Sequence, residues 1–123
     1  MPGRPRVLLV DDHPGVLKAL GRVLSGECDV VGVIADGREV ADAVMRLQPQ
    51  VIVVDLNLPH VSGLEVCRQV TLNDRRVKVI VISAMSDDYI RQEALAAGAS
   101  GFVDKSAADE LVLAVRRVFA EGA

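Results

Sequence analysis

Apolar residues recur along this chain in short unbroken runs, each closed by polar residues and followed by a segment of helical spacing. Val7-Leu8-Leu9-Val10 stops at two carboxylates, Asp11-Asp12. Val30-Val31-Gly32-Val33-Ile34, Val51-Ile52-Val53-Val54 and Val77-Lys78-Val79-Ile80-Val81-Ile82 are runs of the same kind, and Ser100-Gly101-Phe102-Val103 is a shorter one. Strands take this form, without strict alternation, when helices cover both faces of a sheet. Between the runs, Leu17, Leu20 and Leu24 form one apolar stripe, and Val40, Val44 and Leu47 a second. Leu64, Cys67, Val70 and Thr71 form a third, Ile90, Ala94, Leu95 and Ala97 a weaker fourth, and Leu111, Val115, Val118 and Phe119 a strong fifth. Pro49 ends the second helical pattern, Pro59 and Gly63 mark a loop before the third, and Gly98 is placed to terminate the fourth. Five such βα units predict a three-layer α/β domain, a parallel sheet with right-handed crossovers and helices on both faces.

Open parallel sheets bind ligands beyond the carboxyl ends of their strands, so the residues that terminate the runs carry the chemistry. The first run ends in Asp11-Asp12, the third in Asp55 and the fourth in Ser83, and the fifth reaches Lys105. The second ends in the turn-like Ala35-Asp36-Gly37. If the strand order is 2-1-3-4-5, strands one and three are neighbours and Asp11, Asp12 and Asp55 share one crevice. Close carboxylates repel and call for a cation. Hard oxygen ligands suit Mg²⁺. Asp55 could then attack phosphorus to give an acyl phosphate, with Lys105 as fixed positive charge and Ser83 as hydroxyl donor to a phosphoryl oxygen. Each part has a plainer explanation: an acidic pair can cap a helix, an Asp can close a turn, and a single Ser or Lys can be solvated. The order in which they fall at strand ends favours a site.

Composition changes this picture little. The chain has 123 residues and a net charge of −3, one domain's worth of chain without the basic surplus of a duplex-DNA binder. Its aromatic residues are Tyr89, Phe102 and Phe119, so the core is expected to be aliphatic. Cys28 and Cys67 lie in apolar stretches far apart and are expected to be buried free thiols. No apolar run approaches the roughly 20 residues that span a bilayer. The apolar stretch after the basic N-terminus breaks at Asp11-Asp12, too early for a signal peptide. A cytoplasmic location is expected, with residues 1–5 as a tail and 6–123 as the domain.

From Arg6 to Phe119 the sequence resembles the receiver domain of two-component response regulators. The resemblance rests on VLLVDDHP at Val7–Pro14, VIVVDLNLPHVSGLE at Val51–Glu65, VIVISA at Val79–Ala84 and GFVDKS at Gly101–Ser106. It implies a flavodoxin-like (βα)₅ fold in which Asp55 accepts a phosphoryl group from a sensor histidine kinase. It also implies Mg²⁺, or Mn²⁺, held by Asp12, Asp55 and the main-chain carbonyl of Asn57, with Asp11 acting through water. Lys105 would bind the phosphoryl group, Ser83 would shift toward it, and Phe102 would turn into the space vacated, remodelling the α4-β5-α5 surface over roughly Asp87 to Phe119. Such a chain catalyses only its own phosphorylation and dephosphorylation. His13-Pro14 and Ser106 resemble the NarL/FixJ subfamily, which implies a LuxR-type DNA-binding output outside this chain and a homodimer formed on phosphorylation. A stand-alone receiver acting through protein partners is the alternative.

Several positions depart from the family's pattern. Ser106 stands where many receivers have a proline, often after a cis bond, which leaves the isomer of the Lys105–Ser106 bond open. Met85, two residues past Ser83, occupies a position that modulates water access to the acyl phosphate. Haloacid-dehalogenase-like phosphatases also place an Asp nucleophile after a parallel strand, but they need a second Asp where this chain has Asn57. A nucleotide or flavin carrier would need a glycine-rich phosphate loop after the first strand, where Asp11-Asp12 stand instead. His13 reads as a helix-start residue and His60 as a surface-loop residue.

Overall fold

The fold is given by a computed structural model that describes residues 3–85 and 87–121. The strands are β1 Arg6–Val10, β2 Asp29–Ile34, β3 Val51–Asp55, β4 Lys78–Ser83 and β5 Gly101–Asp104. The helices are α1 Pro14–Ser25, α2 Val40–Leu47, α3 Gly63–Asn73, α4 Asp88–Ala96 and α5 Ala108–Glu121, with a 3₁₀ turn at Gly37–Glu39 before α2. All strand pairs are parallel. The order is β2-β1-β3-β4-β5, which makes β1 and β3 neighbours.

Side chains alternate between the two faces of the sheet, and the core divides accordingly. Leu8, Val10, Ile52, Val54, Val79 and Val81 pack under α2, α3 and α4. Val7, Leu9, Val53, Ile80, Ile82 and Val103 pack under α1 and α5. Each strand is apolar on both sides because each side has a helical layer to meet, and this is why the runs in the sequence do not alternate. Central β3 is buried throughout. Burying each of its Val and Ile side chains contributes roughly 1.5–3 kcal/mol.

The elements differ from the sequence expectations at their ends and on the sheet edge. β4 runs one residue later than its apolar run, because Val77 closes a turn onto Asp74 and Ser83 still pairs with Asp104. β2 is an edge strand and only partly covered: Val33 is 52% exposed, and Val31 is bulged out between the Val7–Val30 and Leu8–Gly32 pairs. In the fourth stripe Leu95 is 47% exposed, while the smaller Ala94 and Ala97 make the buried contact. Gly98 ends α4 as expected, at φ 104°, with its N–H on Leu95 O and that of Ala99 on Ala94 O, the Schellman pattern. α2 stops before Pro49 through Gln48, held in the left-handed region at φ 50°. Cys28 and Cys67 are both buried and free.

Candidate functional site

β1 delivers its acidic pair to the carboxyl edge of the sheet and does not spend it on helix capping. Asp11 continues the strand's hydrogen bonding through its N–H to Ile34 O at 3.0 Å, and its side chain is 1% exposed. The residue at the start of α1 is His13, which makes no side-chain cap. Pro14, set at the first helical position, starts the helix instead. Next to it β3 ends in Asp55, buried to 2% exposure, with Oδ1 accepting the Asn57 N–H at 3.3 Å.

Lys105 reaches this pair from the far side of the sheet. Its N–H donates to Ser83 O at 3.0 Å, so the ends of β4 and β5 are tied together. Asp104 shapes the following turn, accepting the Ser106 N–H at 2.8 Å and the Ser106 hydroxyl at 2.7 Å. The Lys105 ammonium lies 2.9 Å from Asp11 Oδ2 and 3.1 Å from Asp55 Oδ2. Burial pulls the Lys105 pKa down, but hydrogen bonding and charge from Asp11 and Asp55 outweigh it, and the net shift is upward. The Lys105–Ser106 bond is trans, since no described peptide bond is cis.

Three carboxylates cluster here and one ammonium contacts two of them, a formal surplus of two negative charges. One ligand atom from each of Asp11, Asp12, His13 and Asp55 can be chosen with no two further apart than 4.8 Å. Asp11 Oδ2 and Asp12 Oδ1 are buried oxygens whose close contacts are titratable groups, the Lys105 ammonium at 2.9 Å and the His13 ring at 3.1 Å. One ammonium does not balance the charge of this many clustered carboxylates. These donors fit a divalent cation.

Ser83 is fully buried and its Oγ accepts the Met85 N–H at 3.0 Å. β3 pairs Asp55 with Ile82, which puts Ser83 one step further along the neighbouring strand. Met85 itself is 54% exposed, and Asn57 is also exposed. Phe102 is 8% exposed in the layer under α4, with the Arg91 guanidinium 5.0 Å above its ring centroid. A cleft of about 930 Å³ between α2 and α3 is lined by residues such as Val44, Pro49 and Val70, and none of the site residues borders it.

Two features were not expected from the sequence. The His13 ring turns back onto the acidic pair, Nδ1 lying 3.0 Å from Asp11 Oδ1 and 3.1 Å from Asp12 Oδ1. Gly63 is more than loop punctuation. A Cβ there would sit 2.2 Å from Asp55 O and 2.9 Å from Leu56 Cα, so only glycine lets the start of α3 pass against the backbone carrying Asp55. A glycine opening a helix eight residues after a strand-terminal Asp was the only available signal.

Residues 7–116 match the family described as the response regulator receiver domain. The chain belongs to that family. This receiver is 33% identical over 118 residues to the response regulator GacA of Pseudomonas aeruginosa, covering 94% of this chain and 55% of that protein. It is 38% identical over 114 residues to the DNA-binding response regulator MtrA of Mycolicibacterium smegmatis, covering 92% and 50%. The receiver spans about half the length of these relatives. Among solved structures, the receiver domain of NarL from Mycobacterium tuberculosis superposes with a TM-score of 0.90 at 32% identity, over 97% of this chain and 98% of that one. A LuxR-family response regulator from Aurantimonas sp. SI85-9A1 gives 0.91 at 31%, over 97% and 87%. The five-stranded order and the NarL- and LuxR-type relatives agree with the resemblance read from the sequence. Among the described residues no helix is long and apolar enough to cross a membrane.

Proposed function

We propose that this receiver works in the cytoplasm and takes a phosphoryl group from the phosphohistidine of a sensor histidine kinase onto Asp55. The observation that carries the reading is the buried Asp55 carboxylate, held 3.1 Å from the Lys105 ammonium and beside the Asp11–Asp12 pair at the carboxyl edge of the sheet. A carboxylate oxygen of Asp55 forms the new O–P bond as the donor N–P bond breaks, its electron pair returning to the imidazole. Mg²⁺ or Mn²⁺, held by Asp12, Asp55 and the Asn57 carbonyl with Asp11 in support, would neutralise charge on the equatorial phosphoryl oxygens. Lys105 supplies a second, fixed positive charge. On this reading it exchanges part of its contact with Asp55 for the phosphoryl group, and the Ser83 hydroxyl donates to another phosphoryl oxygen. Catalysis is positioning and charge neutralisation, which is what phosphoryl transfer needs. We take residues 1–5 as a tail and 6–123 as the domain, of which residues 1, 2, 86, 122 and 123 lie outside the described residues.

The output runs through Ser83 and Phe102 to the α4-β5-α5 surface. With NarL- and LuxR-type relatives, the output we favour is a LuxR-type DNA-binding domain engaged through a phosphorylation-dependent homodimer. A receiver that acts through protein partners alone is the second reading, and the acidic composition of this segment is compatible with both. A phosphatase acting on other substrates is disfavoured by Asn57, which replaces the acid/base the haloacid-dehalogenase chemistry requires. Intact-mass measurement after incubation with acetyl phosphate and Mg²⁺ tests the assignment. About 80 Da, one phosphoryl group, is expected on the wild type and not on Asp55→Asn. Equal gain on both proteins would remove Asp55 from the role.

A further inference from the structure

The phosphoryl-accepting reading leaves one side chain of the acidic edge without a task. His13 stands where α1 begins, a position at which a side-chain oxygen commonly accepts a helix N–H, yet it makes no such bond. Its own N–H donates to Asp11 Oδ1 at 2.9 Å, which fixes the residue against the pocket. Its ring folds inward, Nδ1 at 3.0 Å from Asp11 Oδ1 and 3.1 Å from Asp12 Oδ1, with 60% of the side chain open to solvent on the outer side. Asp12 Oδ1, the oxygen facing that nitrogen, is one of the two buried carboxylate oxygens without a directed hydrogen bond. A ring nitrogen of His13 and one oxygen from each of Asp11, Asp12 and Asp55 lie within 4.8 Å of one another, and Nδ1 is the nitrogen in contact with the acidic pair. Donors bound to one first-row ion at about 2.0–2.2 Å lie at most about 4.4 Å apart, so this set is near the size such an ion needs.

We propose that His13 Nδ1 is a ligand of the cation in this pocket and sets its metal preference. The inference rests on the acidic pocket being the receiver's cation site, and it adds a nitrogen donor to an otherwise all-oxygen set. Without a cation, the Nδ1–H tautomer donates to Asp11. With one bound, the Nε2–H tautomer turns the Nδ1 lone pair inward, and the solvent-facing side of the ring gives the proton a route between the nitrogens. Mg²⁺ is hard, holds several waters and gains little from an imidazole. Mn²⁺, Co²⁺ and Ni²⁺ gain increasingly from one. The pocket therefore favours transition cations over Mg²⁺ by more than its carboxylates alone provide.

Titrating the receiver separately with Co²⁺ and with Mg²⁺ by calorimetry, and recording the visible absorption of bound Co²⁺, tests this. His13→Phe keeps a ring of similar size at an exposed position and removes the nitrogen, and Asp12→Asn serves as the site control. His13→Phe is expected to weaken Co²⁺ about tenfold or more and Mg²⁺ less than about threefold, and to shift the Co²⁺ bands. Equal loss for both ions, or no loss for either, overturns the ligand assignment while leaving the acidic pocket intact, provided Asp12→Asn abolishes binding. If neither ion binds the wild type, or Asp12→Asn binds as well as wild type, the pocket itself has been misassigned and the inference falls with it.

Discussion

At the scale of single residues the receiver depends on charges placed where water cannot screen them. Lys105 shows this best, because the carboxylates that raise its pKa are also the groups it stabilises. A folded-state pKa above the ordinary 10.5 means that its contribution is complete below that value and is lost as pH rises through the folded one. Urea midpoints of wild type and Lys105→Met should therefore converge on the alkaline side of about pH 10.5. A gap that stays constant with pH would show that the ammonium is not the source. On the proposed function, Met85 would act on the reaction rather than on stability. Its backbone is tied to the Ser83 hydroxyl and its apolar side chain is exposed. Met85→Glu should shorten the half-life of the Asp55 acyl phosphate by helping to orient water, as followed by loss of the added mass. A half-life unchanged or lengthened would count against this role.

At the scale of elements, the site is as accurate as the strand ends that hold it. Asp11 and Asp55 meet because β1 and β3 are adjacent and in register, Val10 opposite Val54. Lys105 joins them because β5 is hydrogen-bonded to Ser83 at the end of β4. The turn into α3 contributes through what it lacks. Since a Cβ on Gly63 would collide with the Asp55 carbonyl, Gly63→Ala should cost about 1–3 kcal/mol by forcing that backbone aside. The same shift should slow phosphorylation by acetyl phosphate, measured at a temperature where the variant remains folded. Normal phosphorylation in a destabilised variant would separate α3 packing from the position of Asp55. Chemical denaturation supplies the first reading and intact mass the second.

At the scale of the whole molecule, the proposed function requires a change at Asp55 to reach a surface more than one side chain away, by a route we propose to run through Phe102. It is buried under α4 with Arg91 over its ring, so a rearrangement of the ring is felt by α4 directly. Phe102→Leu keeps most of the apolar volume and should leave phosphorylation of Asp55 intact while abolishing the phosphorylation-induced change in hydrogen exchange along α4. Persistence of that change would route the signal elsewhere. Much of this architecture was legible in the sequence. Unbroken apolar runs required a sheet covered on both faces, and the polar residues closing them, Asp11, Asp12, Asp55, Ser83 and Lys105, were the side chains such a sheet would present at one edge. Those features are local, fixed by backbone periodicity and by where hydrophobicity stops. Tertiary structure alone decided the rest, because it depends on which atoms approach across long separations of chain. It divided the helices between α2-α3-α4 and α1-α5, left Leu95 outside where Ala94 packs, turned the His13 ring onto the carboxylates, and brought the Gly63 backbone against Asp55 so closely that no side chain fits between them.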